Sequence, residues 1–178
     1  MAMGKHCPVL QIVGYKGSGK TTLMEKLIHA ASQKGLRVAS IKHHGHGGPP
    51  EPFHTDSDRH AHAGSVVAAV EGNGVLQLQA KQTENWNLVD LIDFYQFFQP
   101  DIIFVEGYKH TNYPKVVLLR TEEDKTLFQM CKTIICSISE NNLETVTQNV
   151  PHFSKAQEPE YLTYLLKKVG EYYDQQLF

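Results

Sequence analysis

The chain has 178 residues, which suits one domain over 1–178 able to bury about 70% of the surface its unfolded form exposes. Its 17 basic and 19 acidic side chains leave a formal charge of −2, which excludes a broad positive field for nucleic acid or anionic lipid, so any polyanion is small and held locally. Cys7, Cys131 and Cys136 are too few for a disulfide framework and form no C-x-x-C pair, a usage that suits a reducing cytoplasm.

The first apolar run, Val9-Leu10-Gln11-Ile12-Val13, is too short for a signal peptide or a membrane span and reads as a strand. It leads into Gly14-Tyr15-Lys16-Gly17-Ser18-Gly19-Lys20-Thr21-Thr22, after which Leu23, Leu27, Ile28 and Ala31 recur at helical spacing. The spelling G-x-x-x-x-G-K-[ST] between strand and helix predicts a phosphate loop. Its glycines let successive N–H groups turn inward on an anion, Lys20 can reach the β and γ phosphates, and Thr21 can ligate Mg²⁺. Lys16 stands one place beyond the position where a class of dimeric ATPases keeps a second loop lysine. Tyr15 holds that position, which favours a solvated or generally phosphate-attracting Lys16.

Lys34-Gly35 reads as the end of the helix, and Val38 to Lys42 as a second strand. From His43 to Ala63 a stretch rich in His, Gly and Pro reads as a long loop. Asp56, Ser57, Asp58 and Arg59 fall within it, where Asp56 or Asp58 could complete Mg²⁺ coordination and Arg59 could bind phosphate, or all could be solvated loop residues. Six of the ten histidines, His43, His44, His46, His54, His60 and His62, lie there too, at no spacing diagnostic of a metal; metal, phosphate and partner contacts all fit them.

Ser65–Val70 and Val75–Ala80 read as a hairpin around Asn73-Gly74, with a wet or partner-facing side. Asn87 can cap a helix whose apolar pairs, from Leu88/Val89 to Phe97/Phe98, make a broad stripe expected in the core, ended by Pro100. Ile102 to Val105 suits a central parallel strand that ends in Glu106-Gly107. Lys115–Arg120 and Thr133–Ile138 read as further strands, and Glu160–Tyr173 as a closing amphipathic helix. The expected fold is α/β, of the P-loop NTPase kind: a mostly parallel twisted sheet, helices on both faces, and a β-hairpin. Ligands then sit beyond the carboxyl ends of the strands, where Glu106 points. Two roles fit Glu106: holding Mg²⁺ or the attacking water as the catalytic carboxylate, or pairing with Lys109 or capping a helix.

Together these residues resemble the molybdopterin-guanine dinucleotide biosynthesis protein B (MobB) family. The likeness runs through Gly14–Thr22, Ile41-Lys42-His43-His44, Asp56-Ser57-Asp58-Arg59 with Ala63-Gly64, Asp101 to His110, and Pro114 to Arg120. It implies a homodimeric, weakly active GTPase using GTP and Mg²⁺, an accessory to the guanylyltransferase that attaches GMP to molybdopterin. The sequence carries no [NT]-K-x-D element, so guanine over adenine is implied by the resemblance, with Ser139, Asn141 and Asn142 as candidate base contacts. Two alternatives share the loop: a nickel-enzyme maturation GTPase, and a small-molecule kinase, for whose basic lid only Arg37, Arg59 and Arg120 are at hand.

Overall fold

The computed structural model describes residues 7–44, 56–140 and 150–173. In chain order they form β1 (Val9–Val13), α1 (Lys20–Gln33), β2 (Val38–Lys42), α2 (Asp56–His62), β3 (Val67–Gly72), β4 (Val75–Ala80), α3 (Leu88–Tyr95), β5 (Ile102–Glu106), β6 (Lys115–Leu119), α4 (Leu127–Met130), β7 (Ile134–Ser139), β8 (His152–Ser154) and α5 (Glu158–Tyr172). Six strands make one sheet in the order β2-β5-β1-β6-β7-β8, every pairing in it parallel. The chain reverses across β1, whose neighbours β5 and β6 bury all their residues, as strands covered on both faces do.

Alternate residues of these strands feed two cores. Leu10, Ile12, Phe104 and Leu118 meet Leu27 of α1 and Leu165 of α5 on one face. On the other, Val9, Ile103 and Val105 meet Leu88 and Ile92 of α3, while Val117 and Leu119 meet Leu127 of α4. A polar seam divides this second face. Gln11 and Lys115, neighbours in register on β1 and β6, are both fully buried. Gln11 Nε2 donates to Gly107 O at 3.0 Å and Tyr108 O at 2.9 Å; Lys115 Nζ donates to Thr111 O at 2.7 Å and to Tyr113 O and Lys132 O at 2.8 Å. Burial pushes the Lys115 ammonium down to about 8, and three carbonyls compensate the charge in a dry setting.

Several expectations are corrected. The stretch to Ala63 is not structureless, because Asp56–His62 is helical, with Asp56 and Asp58 at its positive end and Arg59, His60 and His62 at its negative end. The first hairpin strand begins at Val67, not Ser65: Ser65 N donates to His60 O at 3.1 Å, closing α2 beyond Gly64. The Asn73-Gly74 turn is present, and its strands form a separate two-stranded sheet. The broad stripe after Asn87 is core only at Leu88 and Ile92. Val89 and Phe94 of α3 face solvent, and Phe97, 83% exposed, and Phe98 leave the sheet where the chain tightens into a 3-10 turn at Gln96–Phe98. The short strand β8, the 3-10 turn Glu122–Thr126 and α4 had no forerunner in the sequence pattern. Among the described residues no helix is long and apolar enough to cross a membrane.

Candidate nucleotide site

At the carboxyl edge of β1 the chain turns through Gly14–Gly19 into α1. A Cβ on Gly14 would lie 2.4 Å from Ser18 Oγ, so only glycine lets the loop close. Gly17 (φ 76°) and Gly19 (φ 91°) take the left-handed conformation that aims consecutive amides inward. The start of α1 has no side-chain cap and no acidic residue in its first turn, which leaves its amides and dipole open to an anion. Ser18 is fully buried and its Oγ has no protein partner. Lys20 Nζ meanwhile folds back onto Tyr15 O at 2.8 Å. Burial holds the Lys20 ammonium below its usual pKa, Glu106 opposes that, and Lys42 and Arg120 add to it. The loop therefore concentrates positive charge and donors with one carboxylate among them.

That carboxylate is Glu106, buried at the end of β5 in register with Ile12 of β1 and Lys42 of β2. Thr21 Oγ1 donates to Glu106 Oε2 at 3.2 Å; Lys42 Nζ lies 3.5 Å from Glu106 Oε1 and 3.4 Å from Thr21 Oγ1. A hydroxyl beside a carboxylate is a donor set of hard oxygens that fits Mg²⁺. Lys109 does not pair with Glu106: its ammonium sits over the Tyr15 ring, 5.7 Å from the centroid.

A cavity of about 880 Å³ opens over this edge. Of the residues expected there, Gly14, Tyr15, Lys16, Gly17, Gly19, Lys20, Thr21, Thr22 and Glu106 line it, while Ser18 is packed beneath them. His43 and His44 line it as well, His43 against Tyr108 with ring centroids 4.3 Å apart. Asp56 and Arg59 are not brought there; they lie on α2, which packs against β3. His60 and His62 share that helix, His46 and His54 lie outside the described residues, and among the described residues no three His, Cys, Asp or Glu gather as a metal site. Ser139 is fully buried and bonded to His152, while Asn141 and Asn142 lie outside the described residues.

The sequence reading placed Lys42 in the family likeness alone and Arg120 there and among three arginines for a kinase lid, and put neither at the nucleotide site. Lys42 ends β2 on the same edge as Glu106, a signal the strand boundaries carry once the sheet order is known. Arg120 follows β6, and its guanidinium lies 3.4 Å from where a Cβ on Gly17 would be.

Residues 9–140 match the family model described as molybdopterin guanine dinucleotide synthesis protein B, MobB. The chain belongs to the MobB family. A Bacillus subtilis protein named "probable molybdopterin-guanine dinucleotide biosynthesis adapter protein" is 40% identical over 171 residues, 95% of this chain and 97% of that relative. The crystal structure of Bacillus subtilis MobB, 41% identical, superposes with a TM-score of 0.80 over 90% of this chain and 97% of that one. HypB of Helicobacter pylori, solved in complex with nickel, shares the fold alone: TM-score 0.51 at 16% identity, over 97% of this chain and 91% of HypB. The chain has the P-loop NTPase fold of these neighbours, a parallel six-stranded sheet with helices, together with a separate antiparallel hairpin.

Proposed function

We propose that the chain binds GTP with Mg²⁺ and serves as an accessory protein to the guanylyltransferase that joins GMP to molybdopterin, acting as a homodimer in the cytoplasm and hydrolysing GTP weakly. The observation that carries this is the cluster of Thr21, Glu106 and Lys42 at the mouth of the phosphate loop, in a chain of the MobB family. The loop amides and the start of α1 cradle the phosphates, and Lys20 exchanges the carbonyl of Tyr15 for phosphate oxygens. Thr21 and Glu106 would hold Mg²⁺, which supplies charge neutralisation at the β and γ oxygens. Lys42 adds a second cation, and Glu106 orients the metal's water or the attacking water. Asp56 and Arg59 take no part in this proposal.

The test is reconstitution with purified molybdopterin, guanylyltransferase, GTP and Mg²⁺, with and without this protein, and with Lys20→Ala. The wild type should raise formation of the guanine dinucleotide cofactor. Lys20→Ala should lose that effect together with about 1.5–3 kcal/mol of GTP affinity, as expected for a charge-assisted contact. Tight nickel binding coupled to GTP, with no effect on cofactor formation, would overturn the proposal in favour of metal delivery.

A further inference from the structure

A second cavity, of about 350 Å³, lies against the phosphate loop and shares Gly17, Gly19 and Thr22 with the first. The first cavity holds the groups that serve the terminal phosphates and a metal: Lys20, Thr21, Lys42 and Glu106. A nucleoside triphosphate is a linear molecule, so with its γ end there, its sugar and base must leave the loop by another side. The second cavity continues from the same three loop residues toward the ends of β7 and β8, where Leu23, Leu118 and Ile138 give it apolar walls and Glu140 and Lys155 a polar rim.

That rim is held firmly. Ser139 and Ser154 are in register at the last pairing of β7 with β8, and Lys155 N donates to Ser139 O at 2.7 Å. The His152 ring bridges the same strands, its Nδ1 2.9 Å from Ser137 Oγ and its Nε2 3.1 Å from Ser139 Oγ. Glu140 and Lys155 therefore leave two locked neighbouring strand ends on the same edge. Their side chains meet, Lys155 Nζ to Glu140 Oε1 at 2.5 Å, and Lys155 Nζ lies 3.4 Å from where a Cβ on Gly19 would be. The Glu140 side chain is 67% exposed, so the pair adds little to stability. What it does is hold one carboxylate at the rim of a cavity that continues the phosphate site.

We propose that this cavity takes the purine of the nucleotide and that Glu140, positioned by Lys155, reads guanine. This deepens the nucleotide reading above and rests on it. The lysine keeps the Glu140 carboxyl below the usual carboxylate range, so at neutral pH it is ionised and accepts only. Guanine presents two donors on one edge, N1–H and the N2 amino group, which match the two oxygens of a carboxylate. Adenine offers an acceptor at N1 and no amino group at C2, and xanthine replaces that amino group with a carbonyl that faces the carboxylate unfavourably. A carboxylate here does the work of the absent [NT]-K-x-D element with a different spacing, because its partner comes from the neighbouring strand end rather than from the same loop.

The test is calorimetry on the full chain with GTP, XTP, ATP and inorganic tripolyphosphate, each with Mg²⁺, for the wild type, Glu140→Gln and Lys155→Met. Tripolyphosphate reports the phosphate loop without any base. The wild type should favour GTP over both XTP and ATP. In Glu140→Gln an amide donor can face the xanthine carbonyl, so the ratio of GTP to XTP affinity should fall about 10- to 100-fold. Lys155→Met, which frees the carboxylate, should lower that ratio less. An unchanged ratio in Glu140→Gln, with tripolyphosphate still bound, overturns the base subsite and leaves the phosphate site standing. A wild type that binds neither GTP nor tripolyphosphate overturns the nucleotide reading, and this inference with it.

Discussion

At the scale of single residues, Glu106 concentrates the chemistry. It is buried, yet both of its oxygens are engaged, one by the Thr21 hydroxyl and one by the Lys42 ammonium. A buried carboxylate is costly unless paired, so Lys42 at the end of the adjacent strand is what makes a charged Glu106 tolerable in this position. Glu106→Gln keeps the volume and the acceptor for Thr21 while removing the charge. GTP hydrolysis should fall tenfold or more while the thermal transition persists, a loss on the order of that for one electrostatic stabiliser. Equal rates for the two proteins would remove Glu106 from the chemistry.

At the scale of elements, the segment between β5 and β6 owes its shape to two buried polar side chains. Gly107 (φ 99°) and Tyr108 (φ 51°) both take left-handed conformations, and Tyr108 does so without the freedom of glycine. Gln11 and Lys115 hold the carbonyls of Gly107, Tyr108, Thr111 and Tyr113, so the segment is tied to the sheet beneath it while its upper side lines the cavity over the phosphate loop. Lys115→Met preserves much of the volume and leaves up to three carbonyls without a donor. It should destabilise the fold by roughly 3 kcal/mol, each orphaned buried carbonyl costing about 1–3 kcal/mol. Denaturant midpoints measure this, and an unchanged midpoint would mean the segment holds its shape without the lysine.

At the scale of the whole molecule, the β3-β4 hairpin stands outside the main sheet. A lone two-stranded ribbon is marginal in water, and this one exposes Val67, Leu76 and Leu78 on one face. Covering that face with a second copy would bury the apolar residues and complete the homodimer proposed above. Leu76→Glu combined with Leu78→Glu should shift the mass measured by light scattering from dimer to monomer while α1 and the phosphate loop stay intact. A wild type that stays monomeric at tens of micromolar would overturn the homodimer, and a variant that stays dimeric would place the interface elsewhere.

Features that depend on near neighbours along the chain were legible in the sequence. The phosphate loop is legible because its backbone needs glycine at Gly14, Gly17 and Gly19, all within one short stretch; the strands β1, β5 and β6 are legible because burial on both faces demands continuous apolar runs. Helix α2 escaped because Ala61 is its only buried residue, which leaves no apolar period to read. The stripe after Asn87 misled because periodicity states which side chains share a face, not how many of them a sheet can cover; the 3-10 turn took Phe97 and Phe98 away. The meeting of Lys42 with Glu106, of Gln11 with Gly107 and Tyr108, and of Glu140 with Lys155 was left to the tertiary structure. Each contact joins residues far apart in the chain that only the strand order β2-β5-β1-β6-β7-β8 brings to adjacent positions.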